Sequence, residues 1–173
     1  TLIFQLAKND FKKKYAGSYL GIVWAFVQPV VTVMVYWFVF GMIRSSSPRP
    51  VPFVLWLIAG LIPWFFFQDG LINGTNALLE YNYLVKKVVF RIDILPMVKV
   101  VSAVFVHLVF MLVALSLYTA MGCYPTVYTI QVIYYTFCIF VLVLGITYMT
   151  SSVVVFFRDL TQVINIALQV GVW

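Results

Sequence analysis

The sequence predicts an all-α, polytopic membrane helix bundle with an amphipathic interfacial helix at its N-terminus. Three observations carry this prediction. Apolar residues make up 64% of the 173-residue chain and charged residues only 9%, leaving more apolar surface than a soluble domain of this size can bury. The uncharged stretches come in lengths that fit the ~20 helical residues a bilayer core takes. The basic residues behind the net charge of +6 cluster beside those apolar runs, so they report membrane topology rather than a nucleic-acid partner.

The elements follow in chain order. Over residues 1–16, Phe4, Ala7, Phe11 and Tyr15 recur at helical spacing with polar residues between them, as in a helix lying at the membrane surface. A ragged cytoplasmic start to the first span is the plainer reading of the same pattern. Lys12, Lys13 and Lys14 then guard the entrance to a first span at about 18–43. A second span covers about 53–72, with Pro63 tolerated because neighbouring helices can satisfy the carbonyl it frees. From Lys99 to Arg158 no charged residue occurs, a run twice too long for one helix, and the "GCYP" turn at Gly122 to Pro125 divides it. Spans three and four are therefore placed at about 94–121 and 127–157. A fifth, at 160–173, is cut off inside an apolar run. The start at Thr1 and this stop predict that the chain is part of a longer polypeptide.

Alternating the loops puts nine basic residues on one side and only Arg44 and Arg49 on the other. The lysine-rich side, with the N-terminus, is thus expected to face the cytoplasm. The loop at 73–93 lies on that side and contains "NALLEYNYLVKKVVF", a short helix presenting Glu80, Tyr81, Lys86 and Lys87, or simply a solvated connector. Lys99 is expected to snorkel to the inner interface. Cys123 and Cys138 stand roughly 20 Å apart at ~1.5 Å per residue, so two free thiols are expected.

The spans offer little for covalent chemistry. His107 is the single histidine, no acidic residue lies deep in a span, and no GxxxxGK[ST] motif is present. An interhelical hydrogen bond is the role expected of His107; a substrate contact or proton relay is the alternative. Uncharged polarity is more informative. Trp24, Gln28, Thr32 and Tyr36 recur every fourth residue in span one, and Gln162, Asn165 and Gln169 fall on one face of span five. Amides in a bilayer must meet a partner. They serve either helix packing or a conduit for a polar polymer, along which aromatic faces offer sliding contact.

Four segments carry a resemblance: "DFKKKYAGSYLGIVWAFVQPVVTVMVYWFVFG" (Asp10 to Gly41), "AGLIPWFFF" (Ala59 to Phe67), "YLVKKVVFRIDILP" (Tyr83 to Pro96) and "VVVFFRDLTQVINIALQVGVW" (Val153 to Trp173). In this order and spacing the chain resembles the permease subunit of type-2 ABC exporters, in the group that exports O-antigen, teichoic acid and other polysaccharides. The resemblance implies six spans, of which about five are visible. It implies a homodimer in a bacterial cytoplasmic membrane, with two copies of a separate ATPase that binds ATP and Mg. A lipid-linked polymer would pass along the dimer interface. No cofactor is expected in this chain, which would be a permease and not an enzyme. Tyr19, Trp24, Gln28, Thr32, Tyr36, Gln162, Asn165 and Gln169 become candidate path residues. The loop around Glu80, Tyr81, Tyr83, Lys86 and Lys87 becomes the helix that docks on the ATPase, and Lys12, Lys13 and Lys14 a site for an anionic head group. Two rivals remain: a type-2 permease for a small drug or lipid, and a membrane transferase using His107.

Overall fold

A computed structural model describes residues 2–16, 23–43, 53–81 and 92–172. Among them are seven α-helices: α1 (Leu2–Ala16), α2 (Trp24–Ile43), α3 (Phe53–Thr75), α4 (Ala77–Glu80), α5 (Ile94–Ala120), α6 (Gln131–Val154) and α7 (Leu160–Gly171), with a single 3-10 turn at Val127–Ile130 leading into α6. Phe53–Thr75, Ile94–Ala120 and Val127–Val154 are each long and apolar enough to cross a bilayer, and the chain is a multi-pass helical membrane protein. Residues 17–22, 44–52 and 82–91 fall outside the described residues, and with them the start predicted for span one and the outer loop carrying Arg44 and Arg49.

The central helices α3, α5 and α6 pack through Phe66, Val100, Ala103 and Val143. A second cluster, Leu71, Ile164 and Leu168, fastens α7 to α3. The approach of α6 to α3 is set by Gly70 and Gly74. A Cβ built at Gly70 would stand 2.9 Å from a Val143 methyl, and one at Gly74 would stand 2.3 Å from the Thr147 methyl. Small residues four apart let membrane helices approach closely, because dispersion between backbones replaces a hydrophobic driving force that lipid does not supply. This Gly-x-x-x-Gly pair was legible in the sequence and not used there.

Hydroxyl contacts fix the rest. Thr75 and Thr150 share a 2.7 Å hydrogen bond between α3 and α6. The Tyr118 hydroxyl donates to the Leu55 carbonyl where the C-terminal end of α5 meets the N-terminal end of α3. The turn after α5 is made by Gly122 at φ +81°, a left-handed conformation that glycine adopts without strain. The helix preceding α7 stops at Val154, short of the predicted 157. Cys123 and Cys138 are both free thiols.

Helix α1 packs on the N-terminal half of α5. Ala7 is fully buried, and the Phe4 and Phe11 rings meet the Phe105 ring edge-on at 5.5 and 6.1 Å. Its apolar face is thus covered by protein at Ala7 and Phe11, while Phe4 remains exposed.

Candidate functional site: an inner cavity and an ion-pair cluster

Asp10 of α1 and Lys99 of α5 are both buried, and the Lys99 ammonium donates to Asp10 Oδ1 at 2.7 Å. The same ammonium lies 2.8 Å from Glu80 Oε2 and 5.0 Å from the centre of the Tyr81 ring, while the Tyr81 hydroxyl donates to Asp10. Lys99 therefore does not snorkel to water. The buried Asp10 carboxylate and the exposed Glu80 carboxylate compensate its charge, a cheaper arrangement than an unpaired buried ammonium. Local folding explains how Glu80 and Tyr81 arrive there. Helix α4 continues α3 almost without interruption, Asn76 N–H donating to the Ile72 carbonyl and Glu80 N–H to the Asn76 carbonyl. Tyr81 is half-buried and Glu80 exposed, so the first turn of the loop faces inward onto Lys99 on one side and outward on the other. Tyr83, Lys86 and Lys87 lie outside the described residues.

A second ion pair ties α1 to α3. Lys14 Nζ lies 2.7 Å from Asp69 Oδ1, and Asn73 donates to the same oxygen at 2.8 Å. Lys12 and Lys13 are exposed. Both members of the Lys14–Asp69 pair remain about one-third exposed, so Lys14→Ala is expected to lower stability by no more than ~1 kcal/mol in thermal melts.

Above this pair opens a cavity of about 840 Å³ between α2, α3, α5 and α7. Trp24, Thr32 and Tyr36 of α2 and Gln169 of α7 line it, so part of the predicted path is brought together. Gln28 belongs to the same helix, with its side chain outside the described residues, as is all of Tyr19. Gln162 and Asn165 are not part of this lining; Gln162 is exposed. His107 of α5 also lines the cavity, and what the sequence reading missed is the contribution of α3 through Gln68, Asp69 and Asn73. The signal was available, since Gln68, Asp69 and Asn73 interrupt the apolar run at helical spacing.

His107 sits between α5 and α3. It is buried against Phe66, ring centres 4.9 Å apart. The Ile62 carbonyl of α3 is the protein group that faces its ring. No cluster of potential metal ligands occurs among the described residues.

Comparison with known proteins decides the family. The model of the ABC-2 type transporter family matches residues 1–173. The chain belongs to the ABC-2 type transporter family. Among individual ABC-2 proteins it is similar to the "O-antigen export system permease protein RfbA" of Myxococcus xanthus, 27% identical over 95% of this chain and 62% of that protein. It is also similar to the protein of the same name from Klebsiella pneumoniae, 26% identical over 96% of this chain and 64% of that protein. The chain thus spans less than two thirds of the length of these relatives.

Proposed function

We propose that this chain is the membrane-spanning part of a permease that exports a lipid-linked polysaccharide across the bacterial cytoplasmic membrane, driven by a separate ATPase. The family match over the whole chain carries the reading. Relatives named for O-antigen export favour a glycan over a small drug, and the inner cavity supports it with the kind of lining a hydroxylated polymer needs. Tyr36 and Trp24 offer aromatic faces, and Thr32, Gln68 and Gln169 offer groups that exchange hydrogen bonds at little cost. The permease acts as a homodimer with its N-terminus in the cytoplasm, and the lysines at 12 and 13 attract the anionic head group of the cargo. ATP and Mg are bound by two copies of the ATPase, which dock on the loop beginning at Glu80. Teichoic acid is a possible cargo of the same chemistry.

The first test is to purify the full-length protein from its native cells in mild detergent and identify what accompanies it. A P-loop ATPase whose association is lost when residues 80–87 are altered supports the reading; recovery of the permease alone in several detergents overturns it. In vesicles containing both subunits, Tyr36→Ala and Gln28→Leu should lower glycan export severalfold at matched expression. Normal export by both variants would remove α2 from the path.

A further inference from the structure

A second cavity, of about 970 Å³, opens among α3, α5 and α6. Among the described residues neither α2 nor α7 contributes to its lining, so it lies on a different flank of the bundle from the inner cavity. It begins at Ile62 and His107, near the middle of α3 and α5, and ends at Tyr118, Tyr124 and Tyr128 around the Gly122 turn. From His107 to Tyr118 α5 rises roughly 16 Å at ~1.5 Å per residue, about half of the ~30 Å hydrocarbon core of a bilayer. The cavity therefore has the depth of one leaflet.

Its polarity is graded along that depth. Ala59, Met111 and Leu142 give apolar walls, whereas Tyr118, Tyr124, Tyr128 and Thr129 gather hydroxyls at the end near the turn, as aromatic residues do at a membrane interface. Among the described residues no lysine, arginine, aspartate or glutamate lines it. Tyr135 and Leu142 line the cavity and are 65% and 55% exposed, so it is open on the side, at a depth where the medium is hydrocarbon. Left empty, it would cost its walls their dispersion contacts, and water would find few polar partners beside Ala59, Met111 and Leu142. An amphiphile suits both parts, with its chain along the apolar walls and its ester groups at the hydroxyl rim. The uncharged lining offers nothing to a phosphate, whose place is in the head-group layer outside.

We propose that this cavity is a phospholipid site. It holds an acyl chain from the leaflet that meets the Gly122 turn, and the tyrosine and threonine hydroxyls of the rim bind the glycerol esters. The site reads the tail and not the head group. The proposal does not depend on the export reading, and it keeps the cargo out of the space between α3, α5 and α6.

The test starts from the full-length protein, purified from its native cells in mild detergent. Phospholipid that stays bound through gel filtration is extracted and counted per chain by mass spectrometry. Ala59→Trp and Ala114→Phe fill the cavity from α3 and α5, and each should lose about one phospholipid per chain relative to wild type. Val113→Trp adds bulk to an exposed position of α5 outside the lining and should keep the wild-type count. Phosphatidylethanolamine and phosphatidylglycerol, added separately to delipidated wild type, should raise its melting temperature equally, and that of Ala59→Trp much less. Equal phospholipid counts in wild type and the filled variants would overturn the proposal. So would a wild type that retains no phospholipid, meaning that another part of the protein covers the cavity, or a lipid-linked glycan as the molecule lost on filling. If both filled variants fail to fold, wild type decides alone: no rise in melting temperature with either lipid, or a rise with only one, overturns the proposal. None of these results bears on the export reading except loss of the glycan itself, which would support export and move its path.

Discussion

Lys99→Met will destabilise the protein by about 3–5 kcal/mol, because it leaves the buried Asp10 carboxylate without its cation. Asp10 and Lys99 are each about one-twentieth exposed, so water cannot replace the ammonium, and among the described residues only the Tyr81 hydroxyl remains to Asp10. Glu80 behaves differently. At 55% exposure it can turn to solvent, so Glu80→Gln should cost ~1 kcal/mol or less. The double substitution Asp10→Leu with Lys99→Met removes both charges together, and should recover most of the loss. Thermal melting of the four proteins in detergent checks this. A Lys99→Met loss below ~1 kcal/mol would mean that the pair is hydrated. A further consequence concerns transport. Lys99 is where α1, α5 and the first turn of the inner loop meet, so in the assembled transporter Lys99→Met should lower glycan export more than ATP hydrolysis.

Gly74→Val is the other substitution with a large expected effect. A Cβ at this position would lie 2.3 Å from the Thr147 methyl and 3.2 Å from Thr147 Cβ, too close for a rotamer change alone to relieve. Helices α3 and α6 must separate, and the loss should reach or exceed the upper end of the roughly 1–3 kcal/mol typical of overpacked cores. The Thr75–Thr150 hydrogen bond starts at the next residue of α3 and should weaken with it. Gly74→Ala should be milder, and largely rescued by Thr147→Ala, which removes the clashing methyl. That second substitution also deletes a buried hydroxyl with no hydrogen-bond partner among the described residues, so by itself it should cost little. Additive losses in the double variant would show that the two residues do not touch.

Particular residues show how far the sequence reaches. The apolar runs and the charges that bound them locate α3, α5 and α6, because the bilayer imposes a length and a composition that can be counted along the chain. The turn at Gly122 was equally plain, since glycine and proline mark local geometry. The lining of the inner cavity was half legible. The four-residue rhythm of Trp24, Thr32 and Tyr36 gave one wall of the cavity, whereas the helical spacing of Gln68, Asp69 and Asn73 marks a polar face of α3 without saying what it meets. Nothing in their spacing says that α3 turns them toward α2.

The sequence by itself determined the class of protein, the approximate spans and the identity of the family, since these depend on composition, local periodicity and ordered motifs. The tertiary structure decided which charges meet. Asp10 and Lys99 are eighty-nine positions apart, and Lys14 and Asp69 fifty-five. The energy of such a pair depends on distance and burial, neither of which has a counterpart in sequence spacing. His107 makes the same point: only the packing of α3 against α5 sets its imidazole against the Phe66 ring.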